Sequence, residues 1–272
     1  MKVAFTTLGC PDWKLDQIAR NARDFGYEGI ELRTADDGEH ISPDVSLEEA
    51  RRIGALFRDA GAPVMSILGY ARFALREAGE VEKNRALVRK QIALAQAMQA
   101  PYIRAYAGVL PKGSNQAEMA RAVAEGIGPL AGEAEKAGVK ILLETHDDWC
   151  AGAAIMQIVD AVNSPGLGVL FDIYNGFISG KETWVQTYEK IKGHIGYFHV
   201  KDGYADRQGK MVYVMMGAGD LPIVDIVTRL KADGFAGFLS LEWEKKWHPE
   251  LEPPERAFPH FPCKMRALWD VA

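Results

Sequence analysis

One phrase recurs along the whole chain: an amphipathic stretch, then a small residue, then a short β-rich run. After the opening run "KVAFTT" it returns as "FGYEGIEL", "AGAPVMSI", "MQAPYIRA", "AGVKILLE", "SPGLGVLF", "KGHIGYFHV" and "DGFAGFLSL". That makes eight β runs. The spacing of apolar residues between them predicts helices over 14–25, 46–60, 81–99, 115–137, 152–162, 181–192, 223–233 and 254–271, with positions such as Ile53, Leu56 and Phe57 recurring on one face. Gly26, Gly61, Gly138 and Gly234 each follow a periodic stretch, where a left-handed helix stop is expected. Ser46 with Glu49 reads as a capping box, and Asp220 before Pro222 as a helix entry.

Strict alternation of strand and helix implies parallel strands joined by crossover helices, and eight such units suit a closed α/β barrel. A doubly wound open sheet is the other solution, but no GxGxxG follows the first run. With 272 residues, 48% of them hydrophobic, and no linker or composition break, residues 1–272 are expected to form a single (β/α)8 TIM-barrel domain.

A net charge of −5 gives no general attraction to nucleic acid or to an anionic membrane, which leaves small molecules as the expected ligands. The N-terminal "MKVAFTTLGCPDW" is too short in apolar residues for a signal peptide, and no run approaches a bilayer's thickness, so the expected location is cytoplasmic. Cys10, Cys150 and Cys263 are an odd number without CxxC spacing, so they read as free thiols.

In barrels of this kind chemistry sits at the C-terminal ends of the strands. The second run ends in Glu31 and Arg33, the fourth in Arg104, the fifth in Glu144 and His146, the sixth in Asp172, the seventh in His199 and the eighth in Glu242. Glu144, Asp172, His199 and Glu242 come from four consecutive runs and converge on one mouth. Three carboxylates there repel one another unless a positive charge is present. Pairing with Arg33, Arg104 or Lys201 would supply it. A single divalent ion also would, and the mixed oxygen and nitrogen set suits Mn2+ first, then Mg2+, Co2+ or Zn2+.

The segments "LLETH", "LFDIYN", "YFHVKDG", "GAGDLPI" and "LSLEWE" resemble, in order and spacing, the xylose-isomerase-like TIM-barrel superfamily of sugar isomerases and epimerases. The resemblance spans essentially the whole chain. It is closest to the branch with ketose 3-epimerases, hydroxypyruvate isomerase and the inosose isomerases and dehydratases. It implies that Glu144, Asp172, His199 and Glu242 bind one metal, and that Glu144 and Glu242 form an acid/base pair on opposite faces of the substrate. Asn175 stands where many members carry a substrate-binding histidine, and Ala205 where some 3-epimerases carry an arginine. The related apurinic endonuclease branch needs a histidine-rich trinuclear zinc cluster. Only six histidines are present, and His40, His194, His248 and His260 do not match it.

Removing a proton beside a carbonyl leaves an enolate that a chelated metal stabilises as a Lewis acid. Returning the proton from the other face epimerises, returning it to the neighbouring carbon isomerises, and loss of a β-hydroxyl dehydrates. The expected activity is a metal-dependent isomerase or epimerase on a small sugar or keto-polyol. A keto-cyclitol dehydratase and a non-catalytic barrel subunit are the alternatives. Expected substrate contacts are His146, Lys201, Arg104, Glu31, Asn175 and Trp247, with Trp243 and His248 also placed beside the mouth. "MGAGDLPI" reads as a structural loop capped by Asp220 rather than as a phosphate site, and apolar residues in the final segment suggest a homodimer.

Overall fold

Strands that alternate with helices can pair in parallel only if each crossover returns over the sheet, and eight such returns close a ring. The computed structural model describes residues 1–37, 39–179 and 181–272. Its ring is built from β1 (Lys2–Thr6), β2 (Gly29–Arg33), β3 (Val64–Leu68), β4 (Tyr102–Tyr106), β5 (Lys140–Glu144), β6 (Leu167–Asp172), β7 (Ile195–Val200) and β10 (Phe238–Leu241). These are the eight expected runs. Closure comes from β1 lying parallel to β10, with Val3 beside Leu239 and Phe5 beside Leu241.

The helices are α1 (Leu15–Phe25), α2 (Leu47–Asp59), α3 (Ala78–Met98), α4 (Gln116–Lys136), α5 (Gly152–Val162), α6 (Ile173–Ser179), α7 (Trp184–Ile191), α8 (Ile223–Ala232) and α9 (Pro254–Val271). Gly26, Gly61, Gly138 and Gly234 all adopt positive φ at helix stops, as their lack of a Cβ permits. The capping box at Ser46 is half made. Its Oγ accepts from the Glu49 amide at 3.1 Å, but the Glu49 carboxylate turns to Arg52 instead of the chain start.

Two elements were not expected. Helix α6 follows β6 directly, and a two-stranded antiparallel hairpin, β8 (Asp202–Ala205) with β9 (Met211–Val214), rises between β7 and α8. The hairpin also corrects the helix entry. Helix α8 has Pro222 at its N-cap and no side-chain cap among the described residues; the Asp202 carboxylate accepts from the amides of Gly217, Gly219 and Leu221, at 2.7, 3.0 and 3.2 Å, and organises the "MGAGDLPI" loop. An acid already fills that nest of donors, which supports the structural reading of the loop.

Two apolar layers hold the barrel. Ala4, Met65, Leu142, Leu170 and Tyr197 fill its interior, with Tyr102 and Phe238 packed against them. A larger shell lies between strands and helices, and α9 seals it over β1 through Phe258, whose ring lies 4.3 Å from Phe5 and 5.5 Å from Trp13. No described helix is long and apolar enough to cross a membrane.

Phe258→Ala is expected to lower the unfolding free energy by about 3–5 kcal/mol in urea titration, the usual cost of deleting a buried aromatic. A loss below about 1 kcal/mol would show that α9 is not needed to hold β1.

Candidate metal centre and active site

Side chains of a strand alternate in direction, so residues two apart share a face. Tyr102, Leu142, Leu170, Tyr197 and Phe238 mark the interior face. Two positions further on come Arg104, Glu144, Asp172, His199 and Ser240, and two more bring His146, Lys201 and Glu242. Apolar residues thus fill the lower barrel and ionisable ones its mouth.

Donor atoms of Glu144, Asp172, His199 and Glu242 all lie within 4.8 Å of one another, and all four residues are buried. His199 Nδ1 lies 3.3 Å from Glu144 Oε1 and 3.4 Å from Glu242 Oε1. A divalent ion bound at about 2.1 Å sets neighbouring donors roughly 3.0–3.4 Å apart, so these separations fit one. The outer oxygens are engaged elsewhere. Arg104 Nη1 donates to Glu144 Oε2 at 3.0 Å, and Lys201 Nζ donates to Glu242 Oε2 at 2.5 Å and to Asp172 Oδ2 at 2.8 Å. The Asn175 amide donates to Asp172 Oδ1 at 2.8 Å.

Glu31 supplies a second reason to read a metal centre. Its carboxylate lies 2.9 Å from His199 Nε2 and also accepts from Tyr197 Oη at 2.6 Å and from Ser240 Oγ. An acid on Nε2 favours a proton there, so that Nδ1 could offer its lone pair to an ion, the usual arrangement behind a metal-binding histidine.

The electrostatics agree. Burial raises the Asp172 pKa and, although the Lys201 ammonium opposes it, Glu242 and Glu144 add to the rise, to about 7. Burial pulls His199 down, but Glu31, Glu242 and Glu144 outweigh it and hold the imidazole well above its ordinary value. For Glu144 the burial penalty is overcome by Arg104 and His199, and for Glu242 by Lys201, His199 and Arg104. Both stay lowered.

A cavity of about 340 Å³ opens at the mouth, and Glu242 joins it to the cluster. Three of the six expected substrate contacts line it: Arg104, His146 and Trp247. His146 Nδ1 is 3.0 Å from Asp147 Oδ1, and its ring meets Tyr106 edge-on at 4.8 Å. The other three do not reach the cavity. Glu31 is fully buried and committed to His199, Tyr197 and Ser240. Lys201 is enclosed by Asp172, Glu242 and Glu244. Asn175 sits on α6, where its Nδ2 is buried without a hydrogen-bond partner among the described residues.

Trp243 is likewise not at the mouth. It is buried, and its Nε1 donates to the Glu252 carbonyl at 2.9 Å. His248 faces a separate hollow beside Tyr213. Asp148, in the acidic run after β5, is structural: it accepts from the Leu110 amide at 2.8 Å and so ties the loop after β4. Sequence reasoning missed Tyr70 and Tyr106, which flank the Arg104 guanidinium at 5.0 and 4.5 Å, and Arg72 on the cavity wall. Aromatic residues just past the end of β3 and at the end of β4 were the available signal.

A family profile described as xylose isomerase-like TIM barrel matches residues 19–260. A Streptomyces coelicolor protein bearing a provisional name as a hydroxypyruvate isomerase is 26% identical over 247 residues, covering 83% of this chain and 84% of its own. The solved structure of an L-ribulose 3-epimerase superposes with a TM-score of 0.82 at 17% identity, covering 99% of this chain and 95% of that one. The IolI protein, solved with a bound zinc atom, gives 0.81 at 19% identity over 100% of this chain and 99% of its own. At these identities the two structures speak for the fold.

Removing the carboxylate behind the histidine should weaken the metal without touching a ligand. Glu31→Ala is expected to lower Mn2+ affinity about 10–100-fold in calorimetric titration, whereas unchanged affinity would mean that Glu31 does not orient His199.

The pH dependence has a definite sign. Asp172 and His199, both raised, bind protons more tightly in the folded metal-free chain, so that chain loses stability as pH rises through their range. The lowered Glu144 and Glu242 act only in more acid solution. Metal must displace those protons, so the rise in melting temperature on saturation with Mn2+ should be larger at about pH 7.5 than at about pH 5.5. Equal rises would contradict the assignment.

Proposed function

The chain belongs to the xylose isomerase-like TIM-barrel family, and from that premise we propose that it is a divalent-metal-dependent isomerase or epimerase acting on a small sugar or keto-polyol. The observation that carries this reading is the buried cluster of Glu144, Asp172, His199 and Glu242 opening onto a small cavity. The names of the hydroxypyruvate isomerase relative and of the L-ribulose 3-epimerase structure support the reaction class.

The four residues would hold one ion, Mn2+ first among Mg2+, Co2+ and Zn2+, and that ion supplies Lewis-acid polarisation of the substrate carbonyl. The rest falls to the chain. Glu242 borders the cavity and is held ionised by Lys201 and Arg104, so it is the base that first meets the acidic C–H. Glu144, ionised beside Arg104, is its partner for returning the proton. Arg104 and Lys201 fix the outer oxygens of these carboxylates and so aim the inner ones. Trp247, half exposed over the cavity, offers an apolar face to the C–H side of a sugar and shields the enolate from water.

Proton NMR in D2O with Mg2+-loaded protein and a panel of ketoses and keto-cyclitols tests this directly. One substrate C–H signal should disappear, and Glu242→Gln should slow that loss by about 100-fold or more, the usual weight of a general base. If a water-loss product accumulates, the enzyme is a dehydratase. If no exchange occurs with metal bound, the isomerase reading fails.

A further inference from the structure

Most polar groups around the mouth cavity are matched, the buried His146 Nδ1, without a hydrogen-bond partner among the described residues, being one exception. Asp147 lies beside His146, and Glu242 and Glu244 both engage Lys201, at 2.5 and 3.0 Å. Arg33, near the rim, is taken by Asp37, Glu39 and the Tyr70 hydroxyl. Each of these acids therefore has a basic side chain beside it. The reverse does not hold. Among the described residues Arg104 Nη2 has no hydrogen-bond partner, although the residue is 1% exposed. Among the described residues the guanidinium of Arg72, an exposed residue, has neither a carboxylate nor a hydrogen-bond partner, only its backbone amide being engaged. Both arginines line the cavity.

Arg104 is also immobile. Its Nη1 donates to Glu144 at 3.0 Å, its Nε donates to the Gly69 carbonyl at 3.1 Å, and its guanidinium carbon lies 5.0 and 4.5 Å from the centres of the adjacent Tyr70 and Tyr106 rings. The remaining edge is thus fixed in direction. An unpartnered, buried, permanently charged donor is costly unless a ligand satisfies it.

We propose that Arg104 Nη2 and Arg72 form a carboxylate subsite, so that the substrate is a small hydroxy-keto acid rather than a neutral ketose. This rests on the metal-dependent isomerase or epimerase reading and adds the substrate class. Two cationic donors on one wall exceed what a neutral hydroxyl needs, and a guanidinium edge matches a planar carboxylate. A phosphate fits less well. Asp147, Glu242 and Glu244 share the cavity and would repel a dianion, and about 340 Å³ is at the small end for ligand sites.

A matched three-carbon set tests the subsite: hydroxypyruvate, dihydroxyacetone and dihydroxyacetone phosphate, each titrated calorimetrically into Mg2+-loaded protein and followed for C–H exchange in D2O. Hydroxypyruvate should bind at least about tenfold more tightly than dihydroxyacetone. Arg72→Gln should lose at least about tenfold more affinity for the acid than for the neutral ketose, with Arg72→Lys recovering part of it. Equal affinities, an equal loss on both, a preference for the phosphate, or no binding by any of the three would overturn the proposal. The two readings fail differently. Metal-dependent exchange without acid preference removes the subsite alone, whereas Arg72-dependent acid binding without exchange removes the isomerase reading alone.

Discussion

Four carboxylates, Glu31, Glu144, Asp172 and Glu242, are buried in one barrel mouth together with two cations, Arg104 and Lys201. Like charges confined in a poorly solvated space are costly, and this group falls two positive charges short of balance. A divalent ion supplies both. Without the ion two protons do, and the groups whose pKa values rise are one carboxylate and the imidazole, Asp172 and His199. The cluster could therefore exchange protons for a metal.

The barrel meets this constraint through strand geometry more than through its loops. A period of two carries each strand from an apolar residue in the interior to an ionisable one at the mouth, as in Leu142 to Glu144, Leu170 to Asp172 and Tyr197 to His199. Side chains rooted in a closed sheet move little, which suits a donor set that must hold its spacing. Loops complete the site and are themselves tied by acids. Asp148 holds the segment after β4, and Asp202 holds the turn after the hairpin.

Most of this architecture is legible in the sequence, because a strand ending in a charged residue is an unusual pattern and repeats four times in succession. Glu144, Asp172, His199 and Glu242 could be read from that repetition, and the structure gathers them within 4.8 Å. What the pattern does not carry is direction beyond the strand. Glu31 lies on the same kind of strand end yet turns to the Nε2 side of His199, a choice made by tertiary contacts with Tyr197 and Ser240. Trp243 and Trp247 are four residues apart in one loop, and only packing decides that the first is buried and the second lines the cavity. The hairpin was hidden because its short strands interrupt the strand and helix alternation, although the Asp206 to Gly209 turn beside "MVYV" is a local signal for it.

The central claim is that one ion occupies this cluster with His199 bound through Nδ1. Crystals grown with Mn2+, with diffraction collected on both sides of the manganese absorption edge, measure this most directly. One anomalous peak is expected among Glu144, Asp172, Glu242 and His199 Nδ1, with Glu31 still on Nε2. A peak elsewhere, a ring turned to present Nε2 to the ion, or no peak in metal-saturated crystals would contradict the account.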